Sequence, residues 1–157
     1  MSEDGDVLIT TSVQQKTDST RDIALLVYRE NGDKFQLSQT ITEENTLEGF
    51  ADNISLHPDG TKIAYIYGGE HSMLWYALNE VSVIDVETGE TDFVTNIYDR
   101  NTYMPKWSEN GEKLYFILED NMKSQLVEYS FTDKTFEKIT PENMYLSWYS
   151  SNYYVAG

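Results

Sequence analysis

Base and metal-ligand chemistry has few places to start in this 157-residue chain, which holds two histidines, His57 and His71, and no cysteine. Thiolate nucleophiles, thiolate metal sites and disulfides are therefore excluded. His71 follows Glu70, and an imidazole beside a carboxylate is a fragment of a metal site. No further ligand stands at a spacing that would complete the shell, so no metal is expected. His57 opens "HPDGTKIAY" (57–65), a polar turn running into an apolar strand, where a hydrogen bond within the turn accounts for it. The acidic turns "DGD" (4–6) and "EDN" (119–121) lack the alternating Asp/Asn spacing of a calcium loop and read as solvated loops, with adventitious calcium as the sharper alternative. There is no G-x-S-x-G nucleophile elbow, and "YGGEH" (67–71) is too short to cradle phosphate. No nucleophile, base and orienting group can be assembled, so neither catalysis within this chain nor a cofactor is expected.

Recognition chemistry has better candidates. "GGEHSMLWYALNE" (68–80) carries Met73, Leu74, Trp75 and Tyr76 in a row, and apolar residues in a connection need covering. They form a longer strand, pack over a neighbouring element, or serve as a binding loop anchored by Trp75 or Tyr76, since aromatics dominate contact hot spots. "NIYDRNTYM" (96–104) adds Tyr98, Arg100 and Tyr103.

These residues are positioned by a repeat. "ISLHPDGTKIAYIY" (54–67) aligns with "PKWSENGEKLYFIL" (105–118), placing Gly60 on Gly111, 51 residues on, with Leu56 on Trp107, Asp59 on Asn110 and Lys62 on Lys113. Each copy is a short strand, an Asx-Gly turn supplying positive φ, and a second strand of aromatic and β-branched residues. "VSVIDVETGETDFVT" (81–95) then matches "LVEYSFTDKTFEKIT" (126–140), with Thr95 on Thr140, 45 residues on. Each copy predicts four antiparallel strands, A to D, in meander order. Partial copies flank them. Residues 6–12 and 22–41 read as strands B, C and D with Asn31-Gly32 in the C–D turn, and 144–157 as strands A and B with Trp148 on Trp107.

The prediction is an all-β chain of β-propeller-type blades: a partial blade over 1–45, full blades over 50–96 and 103–140, and a partial blade over 141–157. Repeats of about 40–50 residues with four strands each are the signature of such blades. One such sheet cannot hide both faces alone, so copies stack face to face. Thirteen strands make about three and a quarter blades, short of the roughly four to eight of closed propellers. The chain is then part of a longer propeller, half of one completed by another copy, or an open stack. Residues 144–149 are candidates to pair with the N-terminal strands of the same or another chain. In a meander the B–C and D–A connections share one edge, so Met73, Trp75, Tyr76, Tyr98, Arg100 and Tyr103 are expected on a common binding face.

The residues His57-Pro58-Asp59-Gly60-Thr61-Lys62-Ile63-Ala64-Tyr65, Ile84-Asp85-Val86-Glu87-Thr88-Gly89-Glu90 and Trp107-Ser108-Glu109-Asn110-Gly111-Glu112-Lys113 resemble the repeat of TolB-type, WD-repeat-like propellers. The propeller domains of prolyl oligopeptidase and dipeptidyl-peptidase proteins carry similar blades. His57, Leu56 and Glu109 depart from the Ser, Trp and Pro that the pattern favours. The resemblance implies a binding platform, often periplasmic or extracellular.

The formal charge of −16 repels nucleic acid and anionic membrane and favours basic partners. No apolar run reaches the roughly 18–20 residues of a membrane helix. "MSEDGDVLITT" has no signal-peptide pattern, which leaves a cytoplasmic protein or one whose signal was removed. The expected function is a non-enzymatic module that binds a protein or peptide, with self-association completing the ring as an added option. The alternatives are the substrate-gating propeller of a hydrolase whose catalytic domain lies elsewhere, or a carbohydrate-binding propeller.

Overall fold

The computed structural model describes residues 1–15, 21–42, 52–68, 76–146 and 153–155. Among these, all regular structure is strand. The first sheet holds β1 (Val7–Gln15), β2 (Arg21–Asn31) and β3 (Lys34–Thr42). The second holds β4 (Asp52–Leu56), β5 (Lys62–Tyr67), β6 (Glu80–Asp85) and β7 (Thr91–Asp92). The third holds β8 (Thr102–Trp107), β9 (Lys113–Asp120), β10 (Lys123–Ser130) and β11 (Thr135–Lys138). Within each sheet every strand pairs antiparallel with its sequence neighbours, the meander that the repeat predicts.

Side-chain alternation explains the stacking. In β5, Ile63 and Tyr65 face the first sheet, while Ala64 and Ile66 face the third. The middle sheet is therefore apolar on both sides. Val7, Leu25, Val27 and Ile41 meet Ile63, Tyr65, Ile84 and Val86 in one core. Ala64, Ile66, Val81, Val83 and Val94 meet Trp107, Leu114, Phe116, Leu118, Val127 and Tyr129 in the other. Each large side chain so buried contributes about 1.5–3 kcal/mol.

The repeated turn is where adjacent sheets touch. His57 N–H donates to Lys62 O at 2.8 Å, and Ser108 N–H to Lys113 O at 3.0 Å. Ser2 N–H makes the same bond to Val7 O at 2.9 Å, and Gly5, Gly60 and Gly111 all have φ between 72° and 80°. Thus Ser2-Glu3-Asp4-Gly5-Asp6, read from sequence only as an acidic turn, is a third copy. Positive φ is one reason for glycine here; proximity is the other. A Cβ on Gly60 would stand 2.9 Å from Val7 Cγ2, and one on Gly111 only 2.0 Å from His57 Nε2. His57 does hydrogen bond within its turn, to Asp59, and it also reaches across, with Nε2 3.2 Å from Gly111 O and its ring edge-on to Trp107 at 4.7 Å.

Other stations repeat too. Asn53 and Met104, 51 residues apart, both take positive φ at a bulge in the innermost strand. Thr95 Oγ1 accepts Val81 N–H, and Thr140 Oγ1 accepts Leu126 N–H, each at 2.8 Å, which is why threonine recurs after strand D. Asp85 Oδ1 caps the C–D turn by accepting Thr88 N–H at 2.9 Å, and with Lys62 Nζ at 3.1 Å from Oδ2 its carboxyl is pulled down to about 2. Gly89 closes that turn with φ 74°, whereas Lys134 occupies the matching station at φ 54°. A left-handed lysine is strained. Replacing Lys134 by Gly should therefore raise stability by about 0.5–1 kcal/mol, read as a higher urea midpoint at unchanged slope.

At the C-terminal end, Leu146 N–H donates to Ser124 O at 2.8 Å, as Thr102 N–H does to Asn79 O at 2.8 Å. Leu146 thus stands at the start of a fourth module, against the third sheet; Trp148 lies outside the described residues. Residues 144–146 accordingly lie against the third sheet and not beside the first. Tyr153–Val155, expected near a second strand, carry none, and the Tyr153 hydroxyl sits instead on the carbonyls of Met104 and Tyr115, the latter at 2.9 Å.

Candidate functional site

The connection into β6, the β7–β8 connection, the β9–β10 turn and the segment after β11 meet on one edge, as meander parity requires. Backbone and side-chain bonds hold them there. Asn79 N–H donates to Asn101 Oδ1 at 3.0 Å, and Glu119 N–H to Asn101 O at 2.9 Å. Lys123 Nζ donates to Glu142 O at 3.1 Å. Between them opens a groove of about 740 Å³, lined by Leu78, Arg100, Asn101, Met122, Lys123 and Tyr145 among others.

Charged groups at and beside the groove are paired with one another. Asp120 takes Lys138 Nζ at 2.8 Å and Arg100 Nε at 3.5 Å, and these cations hold its carboxyl below the usual range, Lys138 foremost. Glu119 Oε2 accepts from Asn101 Nδ2 and the Tyr103 hydroxyl, each at 3.4 Å. The "EDN" carboxylates are thus engaged by cations and hydrogen-bond donors. Arg100, Lys123 and Lys138 also make this edge electrostatically mixed in a chain of net charge −16.

The rim is apolar. Asn121 and Met122 have φ of 50° and 61°, forming a two-residue turn that leaves Met122 101 % exposed. A methionine held left-handed costs about 1–2 kcal/mol relative to relaxed backbone. A two-residue hairpin whose strands keep their twist takes positive φ at both turn residues, so the β9–β10 turn itself sets this geometry and carries the Met122 side chain out into solvent. Tyr145, 69 % exposed, lines the same groove.

The sequence candidates divide. Arg100 lines the groove and Tyr76 is exposed at the same edge. Tyr98 turns inward, edge-on to Phe136 at 5.1 Å and joined to the second core, where burial pushes its phenol up. Tyr103 is half-buried on β8, its hydroxyl committed to Glu119 and its phenol likewise raised by burial. Met73, Trp75, His71 and Glu70 lie outside the described residues. Because β6 begins at Glu80 and Tyr76–Asn79 are not in a strand, the insertion does not lengthen that strand as one reading had it. Sequence reasoning missed Leu78, Met122, Lys123 and Tyr145. The signal for them was the same parity rule, applied to "EDNMKS" and "NMYL".

No family model matches the chain, and no curated protein matches it in sequence. Solved structures do match in fold. TolB from Acinetobacter baumannii superposes with a TM-score of 0.62 at 15% identity, over 90% of this chain and 31% of that one. The putative TolB from Agrobacterium tumefaciens gives 0.60 at 17% identity, over 90% and 45%. The β-propeller domain of the Trilobed protease from Pyrococcus furiosus, which has an open velcro topology, gives 0.58 at 18% identity, over 88% and 44%. This chain spans less than half the length of each. With its radial meanders and interleaved cores, it is a stretch of β-propeller similar in fold to TolB and to peptidase propellers.

Proposed function

We propose that this chain is a non-enzymatic propeller module that binds a protein or peptide along the edge where the β9–β10 turn faces the β7–β8 connection. The observation that carries this reading is Met122, left-handed and wholly exposed, lining a groove of mixed polar and apolar residues together with the exposed Tyr145. Apolar anchors over a ring of satisfied polar groups are the make-up of recognition surfaces. The groove offers hydrogen-bonding groups and contact area to an extended segment.

Peptides selected from a random displayed library against the native protein test the site. Their affinity should fall about tenfold or more in Met122→Asp and Tyr145→Ala, with unchanged Tm. Tyr98→Ala should instead lower Tm, because that ring is packed against the second core. Undiminished binding by Met122→Asp together with Tyr145→Ala would overturn the assignment.

The likeness to a protease propeller domain supports a second reading, the substrate-recognising propeller of a hydrolase whose catalytic domain lies outside this chain. Self-association that completes a ring is compatible with either, and mass in solution measures it.

A further inference from the structure

The innermost position of the first sheet is open among the described residues. In the second and third sheets that position is held by β4 and β8, paired with β5 and β9. The strand of the first sheet equivalent to β5 and β9 is β1, because Ser2–Val7 repeats the bonds of His57–Lys62 and Ser108–Lys113. Here that strand is the edge.

The ladder identifies which backbone groups face the opening. Glu30 N–H donates to Asp6 O at 2.8 Å, so Asp6 and Glu30 exchange bonds, and at alternate positions Leu8, Thr10 and Ser12 do the same with β2. The odd-numbered residues point their N–H and C=O groups the other way. Val7 demonstrates it: its N–H meets Ser2 Oγ at 3.0 Å and its carbonyl accepts Ser2 N–H at 2.9 Å. Ile9, Thr11 and Val13 present the same groups toward the axis. Ile9 and Thr11 stand where Ala64 and Ile66 of β5 receive Ser55 and Asp52 of β4. Among the described residues the Thr11 carbonyl accepts only a 3.4 Å bond from the neighbouring Thr10 hydroxyl. The β1–β2 register runs from Val7 to Gln15 without a bulge, so nothing in it blunts the edge.

The geometry points to β1 as a strand-addition site for an extended, basic segment of a partner protein. The repeat is the first reason. β8 lies directly on β4, Trp107 Nε1 donating to Ser55 O at 3.0 Å, so by the same repeat a strand added to β1 would have β4 as its neighbour. Charge is the second. Glu3, Asp4 and Asp6 stand at the turn closing the opening, and a net charge of −16 opposes a second copy while attracting cations. Ile9, packed at the margin of the first core, asks for apolar residues at alternate positions of the incoming strand.

The probe is a fluorescent peptide of residues 100–108, RNTYMPKWS, which spans the innermost strand of the third sheet and carries two cations and no acidic side chain. Saturable binding is expected, about tenfold or more weaker to Thr11→Pro, which removes an outward N–H while leaving the β1–β2 ladder whole. The same peptide N-methylated at alternate backbone nitrogens should also fail, a control that leaves the protein untouched. Met122→Asp and Tyr145→Ala should bind it normally, which separates this site from the groove. Absent saturation, or equal binding of the N-methylated peptide, would overturn the assignment. So would a concentration-dependent dimer dissolved by Thr11→Pro, which would give the edge to a second copy.

Discussion

Gly111→Ala should lower the unfolding free energy by about 2–4 kcal/mol, the sum of a left-handed alanine and a collision with the neighbouring sheet. At φ 72° any Cβ is strained, and this one would lie 2.0 Å from His57 Nε2, against a ring held by Gly111 O, Trp107 and Asp59. The two contributions separate across the three copies of the turn. Gly5 has φ 80° and nothing within 4 Å of its built Cβ, so Gly5→Ala should show the strain alone, about 1–2 kcal/mol. Gly60→Ala should fall between, because its Cβ meets Val7 Cγ2 at 2.9 Å. Adding His57→Ala to Gly111→Ala should recover the collision but not the strain. The double variant is then less destabilised than the two singles summed, by about 1 kcal/mol or more in urea unfolding. Equal losses at all three glycines, or strict additivity, would mean the sheets do not press on one another at the turn.

Phe116→Ala should be the most damaging single truncation, at about 3–5 kcal/mol. Phe116 is fully buried in the core between second and third sheets, edge-on to Phe136 at 6.2 Å. That core shares no residue with the one between first and second sheets. In stacked repeats stability is close to a sum over neighbouring interfaces. Hydrogen exchange should therefore accelerate most in β9 and β10 and least in β1 and β2. Uniform acceleration would instead indicate one continuous core.

The features legible in the sequence are those that alternation and spacing encode. The unbroken apolar run in "KIAYIY" marks β5 as a strand buried on both faces, and the Gly60–Gly111 and Thr95–Thr140 spacings mark turns whose hydrogen bonds recur. The third turn, at Ser2–Asp6, escaped notice because Val7 stands where the other copies have lysine, so the match to "SENGEK" ends one residue early. The shared edge followed from meander parity alone. Which side chains line it did not, because connections carry no alternation to say which way Tyr98 or Tyr145 points. Tyr98 went inward because Phe136, on the next sheet, offered an aromatic face. The open edge of β1 required the hydrogen-bond parity set by Glu30 and Asp6, which only coordinates supply.

The stacking itself is tested most directly by interproton contacts in solution between residues far apart in sequence. The account predicts nuclear Overhauser effects from the Val7 methyls to Gly60 Hα and from the His57 ring to Gly111 Hα, alongside the usual cross-strand set within each sheet. Cross-strand effects without these two intersheet contacts would contradict it.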